Sequence, residues 1–346
     1  MANKLPTTMK QWVLRDKSGF GNLLLEESPL PEIGDFDVLI KVHAVSLNYR
    51  DLMIAQGTYY WPLKPTIVPA SDFAGEVLLT GRLVTRFSPG SRVAGQVHQT
   101  HIAGTITVSD AMNSLGGLVD GGLRQYAAYH EGGLVELPAN LSWREGATLA
   151  CAALTAWNAL YGGAKALRPG ETVLVQGTGG VSLFGCQFAK AGGAEVIATT
   201  SDEEKMGVLR AAGAKHILNY KTNPNWGNTA KELSVGKRGA DYVLEIGGPN
   251  TFEQSCAAAS IDSTIAIIGT RAGQAPGTVL PHTALVQTRR IMIGSRLQFE
   301  EMSRAIEVND IKPVVDGKVF GFGEVREAYE YLWEQKAVGK VVVDVE

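Results

Sequence analysis

From Asp37 to Val45 apolar and polar positions alternate, and most of the apolar ones are β-branched. That pattern predicts a strand with one buried face. Gly75 to Leu79 and Ser91 to Val97 read the same way. Gly, Pro, Asn and Asp break these runs at short spacing, which predicts a β-rich barrel or sandwich over residues 1–145. Residues 100–122 are small and polar without a clear period and read as a long loop, a kind of segment that is often functional. From Asn140 to Gly163 the pattern turns helical.

The period changes again at Pro169 and Gly170. Thr172–Gln176 is a short buried strand, Gly179–Gly193 an amphipathic helix, and Glu195–Thr200 the next strand. Asp202–Ala212 reads as a helix with Ser201 as its N-cap. His216–Tyr220, Ala240–Ile246, Thr264–Gly269 and Ile291–Gly294 complete six predicted strands. Strands that alternate with helices in this way build a doubly wound α/β sheet. The tail ends in Gly339, Lys340 and three valines, a strand expected to return to the first domain. The expected division is 1–145, 146–294 and 295–346, the last completing the first.

Composition narrows the class. Hydrophobic residues are 45% and charged residues 19%, ordinary values for a globular chain. The net charge of −3 gives no global electrostatic case for nucleic acid or an anionic membrane, so neither is expected as a partner. The three cysteines, Cys151, Cys186 and Cys256, form no disulfide framework and no CxxC pair. Together with an N-terminus lacking an apolar signal core and the absence of a long charge-free apolar run, they point to a cytoplasmic protein. Glycine, at 40 of 346 residues, exceeds its usual share of roughly 7%.

Some of that glycine has a specific place. Gly177, Thr178, Gly179, Gly180, Val181 and Ser182 follow a buried strand and open a helix, the context of a dinucleotide fingerprint. Gly177 makes the tight turn, Gly179 lets backbone approach a pyrophosphate, and the helix start offers free N–H groups. Ser182 stands where the third glycine is usual. An NAD site places an Asp or Glu at the end of the second strand, for the ribose 2′-hydroxyl. Here that strand ends in Thr199, Thr200 and Ser201, with Lys205 a helical turn on and Tyr220 ending the next strand. Hydroxyls and a lysine suit a 2′-phosphate, so NADPH is the expected cofactor.

The order of domains and motifs resembles the medium-chain dehydrogenase/reductase superfamily over essentially the whole chain. The resemblance is carried by Asn48-Tyr49-Arg50-Asp51, Pro69-Ala70-Ser71-Asp72, Gly90 to Val93, Gly121 to Tyr126, Cys151 to Trp157, the glycine loop, Gly239 to Gly248 and Gly339-Lys340. It implies a GroES-like catalytic domain beside a Rossmann domain, and a homodimer. Within the superfamily the chain looks most like zinc-free quinone oxidoreductases, enoyl reductases and alcohol dehydrogenase-like proteins. It further implies cofactor contacts from Asn48, Thr155, Gly247 and Lys340, the last toward a phosphate. Zinc alcohol dehydrogenases of this group use a Cys, a His and a second Cys, which fall here on Asn48, Ser71 and Cys151; amide and hydroxyl are not usual zinc ligands, so no metal is expected. His98 and His101 have metal-like spacing but no thiol nearby in sequence.

Without a Lewis acid, hydride addition to an activated C=C or to a quinone is the expected chemistry, on a small-molecule substrate. Tyr49 is the first candidate donor to a developing oxyanion, with Asn48 beside it and Asp51 either catalytic or anchoring the loop. Two alternatives stand. One is carbonyl or imine reduction, or alcohol dehydrogenation, by a zinc-free site. The other is an NADPH-binding protein without catalysis that binds RNA or another partner.

Overall fold

The computed structural model describes residues 5–269 and 285–345. It divides into two compact units, Met1–Ala152 with Ser295–Glu346, and Ala153–Gly294.

The first unit opens with β1 (Thr8–Leu14) and β2 (Leu23–Pro29), an antiparallel pair. Then come β3 (Asp37–Ser46), α1 (Tyr49–Ala55), β4 (Asp72–Thr80), β5 (Arg92–Gly95), α2 (Val108–Met112), β6 (Tyr126–His130), β7 (Leu134–Glu136) and α3 (Trp143–Gly146). The second unit holds α4 (Leu154–Tyr161), β8 (Thr172–Gln176), α5 (Gly180–Ala191), β9 (Glu195–Thr200), α6 (Met206–Ala212), β10 (His216–Asn219) and α7 (Trp226–Leu233). It continues through β11 (Ala240–Glu245), α8 (Pro249–Ala258), β12 (Ala259–Ile267) and β13 (Val286–Arg290). The chain returns to the first unit with α9 (Arg296–Val308), α10 (Val325–Trp333) and β14 (Val342–Asp344).

In the first unit a sheet runs β14-β3-β4-β5-β7, with β6 also on β3. The return strand β14 lies antiparallel to β3, Val342 opposite Ser46. Inward residues of β3 and β4, among them Val38, Ile40, Val42, Phe73 and Val77, join Leu123, Tyr129 and Tyr329 in one core. Phe73 stacks on Tyr129 at 5.2 Å, and a Cβ on Gly95 would lie 2.3 Å from the Phe73 ring, so only glycine fits there. Ala70, with φ 68, holds a left-handed conformation costly for a residue with a Cβ. That kink leads the chain from Pro69 into Ser71 and Asp72, both completely buried.

In the second unit six parallel strands lie in the order β10-β9-β8-β11-β12-β13. The chain reverses direction across the sheet between β8 and β11, which makes their C-terminal ends the topological switch point. Every residue of β8 and β11 is buried, which is why these strands read as runs rather than alternations. The α/β class with a doubly wound domain and a β-rich GroES-like domain is therefore what the chain forms.

Four local expectations change. Residues 100–122 contain a helix, α2, capped by Thr107 with Asp110 at its third position. The helical stretch over 140–163 is three pieces, with a π-helical turn at Leu149–Ala153. Helix α6 starts at Met206, not Asp202, and Ser201 does not cap it. Instead Thr200 Oγ1 accepts from the Asp202 amide (3.2 Å) and Asp202 Oδ1 from the Glu204 amide (2.9 Å), local turns that compete with helix. The sixth strand is Val286–Arg290 rather than Ile291–Gly294, a half-exposed edge strand whose polar residues carry no strand signature.

Candidate active site

The switch point of the second unit is built on the glycine loop. Gly177 has φ 76, which a residue with a side chain resists, and its amide donates to Thr199 O at 2.7 Å. The first intrahelical bond of α5 runs from Leu183 N to Gly179 O, leaving the amides of Gly180, Val181 and Ser182 without an intrahelical acceptor. Cβ atoms added at Gly177 or Gly179 would meet nothing within 4 Å, so the space above the helix start is open. Ser182 Oγ donates to Gln176 O at 2.5 Å and ties helix to strand. The glycine that lets the helix approach the sheet is Gly185, where a Cβ would lie 2.7 Å from Leu244 Cδ2. Sequence reading missed it because it lies one turn beyond the fingerprint.

β9 ends in Thr200 rather than a carboxylate, and the turn that follows carries Asp202, half-buried, and the exposed Glu203 and Glu204. Thr200 is buried and its hydroxyl is engaged by the 200–202 turn, while Ser201 and Lys205 are half-buried and Tyr220 is exposed. Thr155 is buried on α4. Gly247 is half-buried after β11; a Cβ there would lie 2.3 Å from Thr251 Oγ1.

A second constellation lies in the first unit. Asn48 is the N-cap of α1, and the Asn48 amide donates to Asp51 Oδ2 at 2.8 Å. Arg50 Nη1 lies 3.4 Å from Asp51 Oδ1 and donates to Leu115 O at 2.9 Å, while its guanidinium sits over the Tyr59 ring. Burial raises Asp51 to about 6 against the pull of Arg50. Asp51 is thus the carboxylate of a capping box inside the protein. Tyr49, at the first turn of the same helix, is 38% exposed.

Lys340 is 4% exposed. Its ammonium donates to Leu47 O (2.8 Å) and Asn48 Oδ1 (2.5 Å) and lies 3.8 Å from Asp72 Oδ2. It points into this cluster rather than outward to a phosphate. Asp72 also accepts from Ser71 Oγ (2.8 Å) and the Cys151 amide (3.2 Å), and Asn48 Nδ2 approaches Ser71 Oγ at 3.5 Å. The three positions that hold zinc ligands in the resembling dehydrogenases therefore do converge, around Asp72.

Their chemistry does not fit zinc. Asn48 turns its amide oxygen to an ammonium, and Ser71 Oγ donates its hydrogen bond to Asp72. Burial, with Asp72 nearby, pushes the Cys151 thiol up to about 12. A fixed cation already neutralises Asp72. Among the described residues no group of three or more His, Cys, Asp or Glu is arranged to hold a metal. His98 is buried and pushed down to about 4, first by burial and then by Arg50; His101 Nε2 lies 3.0 Å from Gly104 O. No described helix is long and apolar enough to cross a membrane.

A Rossmann switch point and a GroES-like unit together define an oxidoreductase that uses a nicotinamide cofactor. The chain belongs to the medium-chain dehydrogenase/reductase superfamily. A family model described as "Alcohol dehydrogenase GroES-like domain" matches residues 34–139, and one described as "Zinc-binding dehydrogenase" matches residues 180–309. The chain is 42% identical to a zinc-type alcohol dehydrogenase-like protein of Schizosaccharomyces pombe, over 97% of this chain and 99% of that one. It is 29% identical to a quinone oxidoreductase of Lama guanicoe, over 91% and 90%. A solved structure from Sinorhizobium meliloti named as an alcohol dehydrogenase is 38% identical, with a TM-score of 0.89 over 99% and 100% of the two chains. The 2-octenoyl-CoA carboxylase reductase CinF, solved with NADP and 2-octenoyl-CoA, is 25% identical, with a TM-score of 0.85 over 99% and 89%.

Proposed function

We propose that the protein is a zinc-independent, NADPH-dependent reductase of an activated C=C bond or a quinone. The observation that carries this is the Lys340–Asn48–Asp72 cluster with Cys151 beside it, standing where a zinc dehydrogenase has its ligands. Such a site has no Lewis acid of its own to polarise an isolated carbonyl, whereas conjugate addition needs only hydrogen-bond donors at a developing enolate. Bound NADPH supplies the hydride. The amides of Gly180 to Ser182 bind and orient its pyrophosphate. β9 ends in Thr200 rather than a carboxylate, and Ser201 and Lys205, flanking Asp202, Glu203 and Glu204 in the turn before α6, are the groups offered to the 2′-phosphate. Asn48, its oxygen held by Lys340, is left with an N–H donor, and the exposed Tyr49 brings a phenol O–H from the same helix start. The NADP bound in CinF and the name of the quinone oxidoreductase relative support the reading.

The names of the alcohol dehydrogenase-like relatives favour a second reading, carbonyl reduction by the same residues. Product analysis after incubation with NADPH and a panel of enones, enals, quinones and matched saturated ketones separates the two. Saturated ketone from enone, or hydroquinone, is expected. Allylic alcohol as the main product would select the second reading, and no cofactor oxidation by any member would remove both.

A further inference from the structure

A groove of about 530 Å³ opens on the first unit, the volume of a small-molecule site. Strand pairing sets its floor. Met9, Gln11 and Val13 of β1 alternate onto one face of the strand and line the groove. Glu26 and Ser28 of β2 stand opposite Gln11 and Met9. On the other side of β1, Arg124 pairs antiparallel with Gln11, between bonds from Trp12 N to Leu123 O (2.9 Å) and from Gln125 N to Lys10 O (3.1 Å). Directly opposite residues share a face, so the Arg124 side chain stands over the same floor. Pro29, Pro65 and Val68 wall it.

The charges of this groove differ in how they are paired. Asp120 Oδ2 accepts from Lys64 Nζ (2.7 Å) and Oδ1 from the Val68 amide (3.1 Å). Glu26 accepts from Arg15 Nη2 (2.6 Å) and Gln11 Nε2 (3.2 Å). Both carboxylates therefore have a cation. Arg124 has no carboxylate within ion-pair distance among the described residues, although it is only 8% exposed. Its guanidinium lies over the Tyr129 ring, 5.1 Å from the centroid, and its Nε–H has no acceptor. A buried cation without a counter-ion is costly, and a ring face offsets only part of that cost. The groove is thus left with one uncompensated positive charge beside an apolar floor. A guanidinium offers two parallel N–H groups that match the two oxygens of a carboxylate.

We propose that this groove is a binding site for a small amphipathic monocarboxylate, with its carboxylate on Arg124 and its apolar body along Met9, Val13 and the prolines. None of the lining residues belongs to the Lys340–Asn48–Asp72 cluster, so the proposal stands or falls apart from the reductase reading.

The probe is octanoate, followed by methionine-methyl NMR, with the Met9 signal assigned by its loss in Met9→Leu. Octanoate is expected to shift the Met9 signal saturably. Octylamine, the same chain with the opposite charge, is expected to leave it unmoved. Arg124→Gln is expected to weaken octanoate binding by about tenfold or more, and Arg124→Lys by a smaller factor, because an ammonium keeps the charge but not the fork. Circular dichroism and thermal melting check the fold. If Arg124→Gln fails to fold, Ser28→Trp, which fills the groove from β2, is expected to abolish the Met9 shift. No shift with octanoate, equal shifts with octanoate and octylamine, or unchanged octanoate affinity in a folded Arg124→Gln would overturn the proposal. So would sedimentation in which Arg124→Gln splits a wild-type dimer, which would put a second copy of the chain in the groove. A Met9 shift given by a glutamate-rich peptide and not by octanoate would overturn it as well.

Discussion

Lys340 is the residue whose surroundings say most about the chemistry. A lysine at 4% exposure beside a completely buried aspartate is held by hydrogen bonds, not by solvent. Removing one partner of such a pair leaves an uncompensated buried charge, a loss of about 3–5 kcal/mol in comparable pairs. Lys340→Met is therefore expected to lower unfolding free energy in urea by roughly 3 kcal/mol. Adding Asp72→Asn is expected to recover most of that loss, because the stranded carboxylate is gone. If the single variant unfolds like wild type, the ammonium is not the counter-ion of Asp72. The sequence placed Asn48, Ser71 and Cys151 together through a family pattern, and the structure converges them. It did not show Lys340 turned into the same cluster, because a strand lysine some 200–300 residues away carries no local signal of its side-chain direction. Asp51 was read only as catalytic or as an anchor of its loop; the structure shows the anchor to be the carboxylate of a capping box with Asn48.

At the scale of elements, the glycines of α5 divide by what surrounds them. Gly179 has an ordinary φ of −75 and open space above it, so the fold itself tolerates a side chain there. A Cβ on Gly185 would lie 2.7 Å from Leu244 Cδ2 and 3.2 Å from Val175 Cγ1, so a larger side chain there must displace these groups or the helix. Gly179→Val is expected to leave the melting temperature within a few degrees of wild type and to weaken NADPH binding by about tenfold or more, by filling the phosphate approach. Gly185→Val is expected to cost about 1–3 kcal/mol of stability by overpacking. Equal effects of the two on stability and on binding would mean that both glycines serve packing alone. The alternating strands and helices of this unit were legible because buried parallel strands are short, apolar and evenly spaced. What escaped was decided by local competition. Thr200 and Asp202 close turns that delay α6, and the edge strand β13 is too polar to announce itself. The short helix α2 rests on the Thr107 cap rather than on an apolar face.

At the scale of the whole molecule, each unit carries its own group of candidate residues. One is an amide-lined switch point for a dinucleotide. The other is a GroES-like cluster in which a lysine stands among the residues that replace metal ligands. The family match carries the word zinc, while the residues here offer an amide, a hydroxyl and a thiol. The most direct measurement resolves that conflict. The protein is dialysed against a strong chelator, its zinc content is determined by elemental analysis, and NADPH oxidation is followed with a cyclic enone and a benzoquinone before and after zinc is returned. The account predicts zinc far below one per chain and turnover that neither chelation nor added zinc changes. Turnover that disappears on chelation and returns with stoichiometric zinc would contradict it.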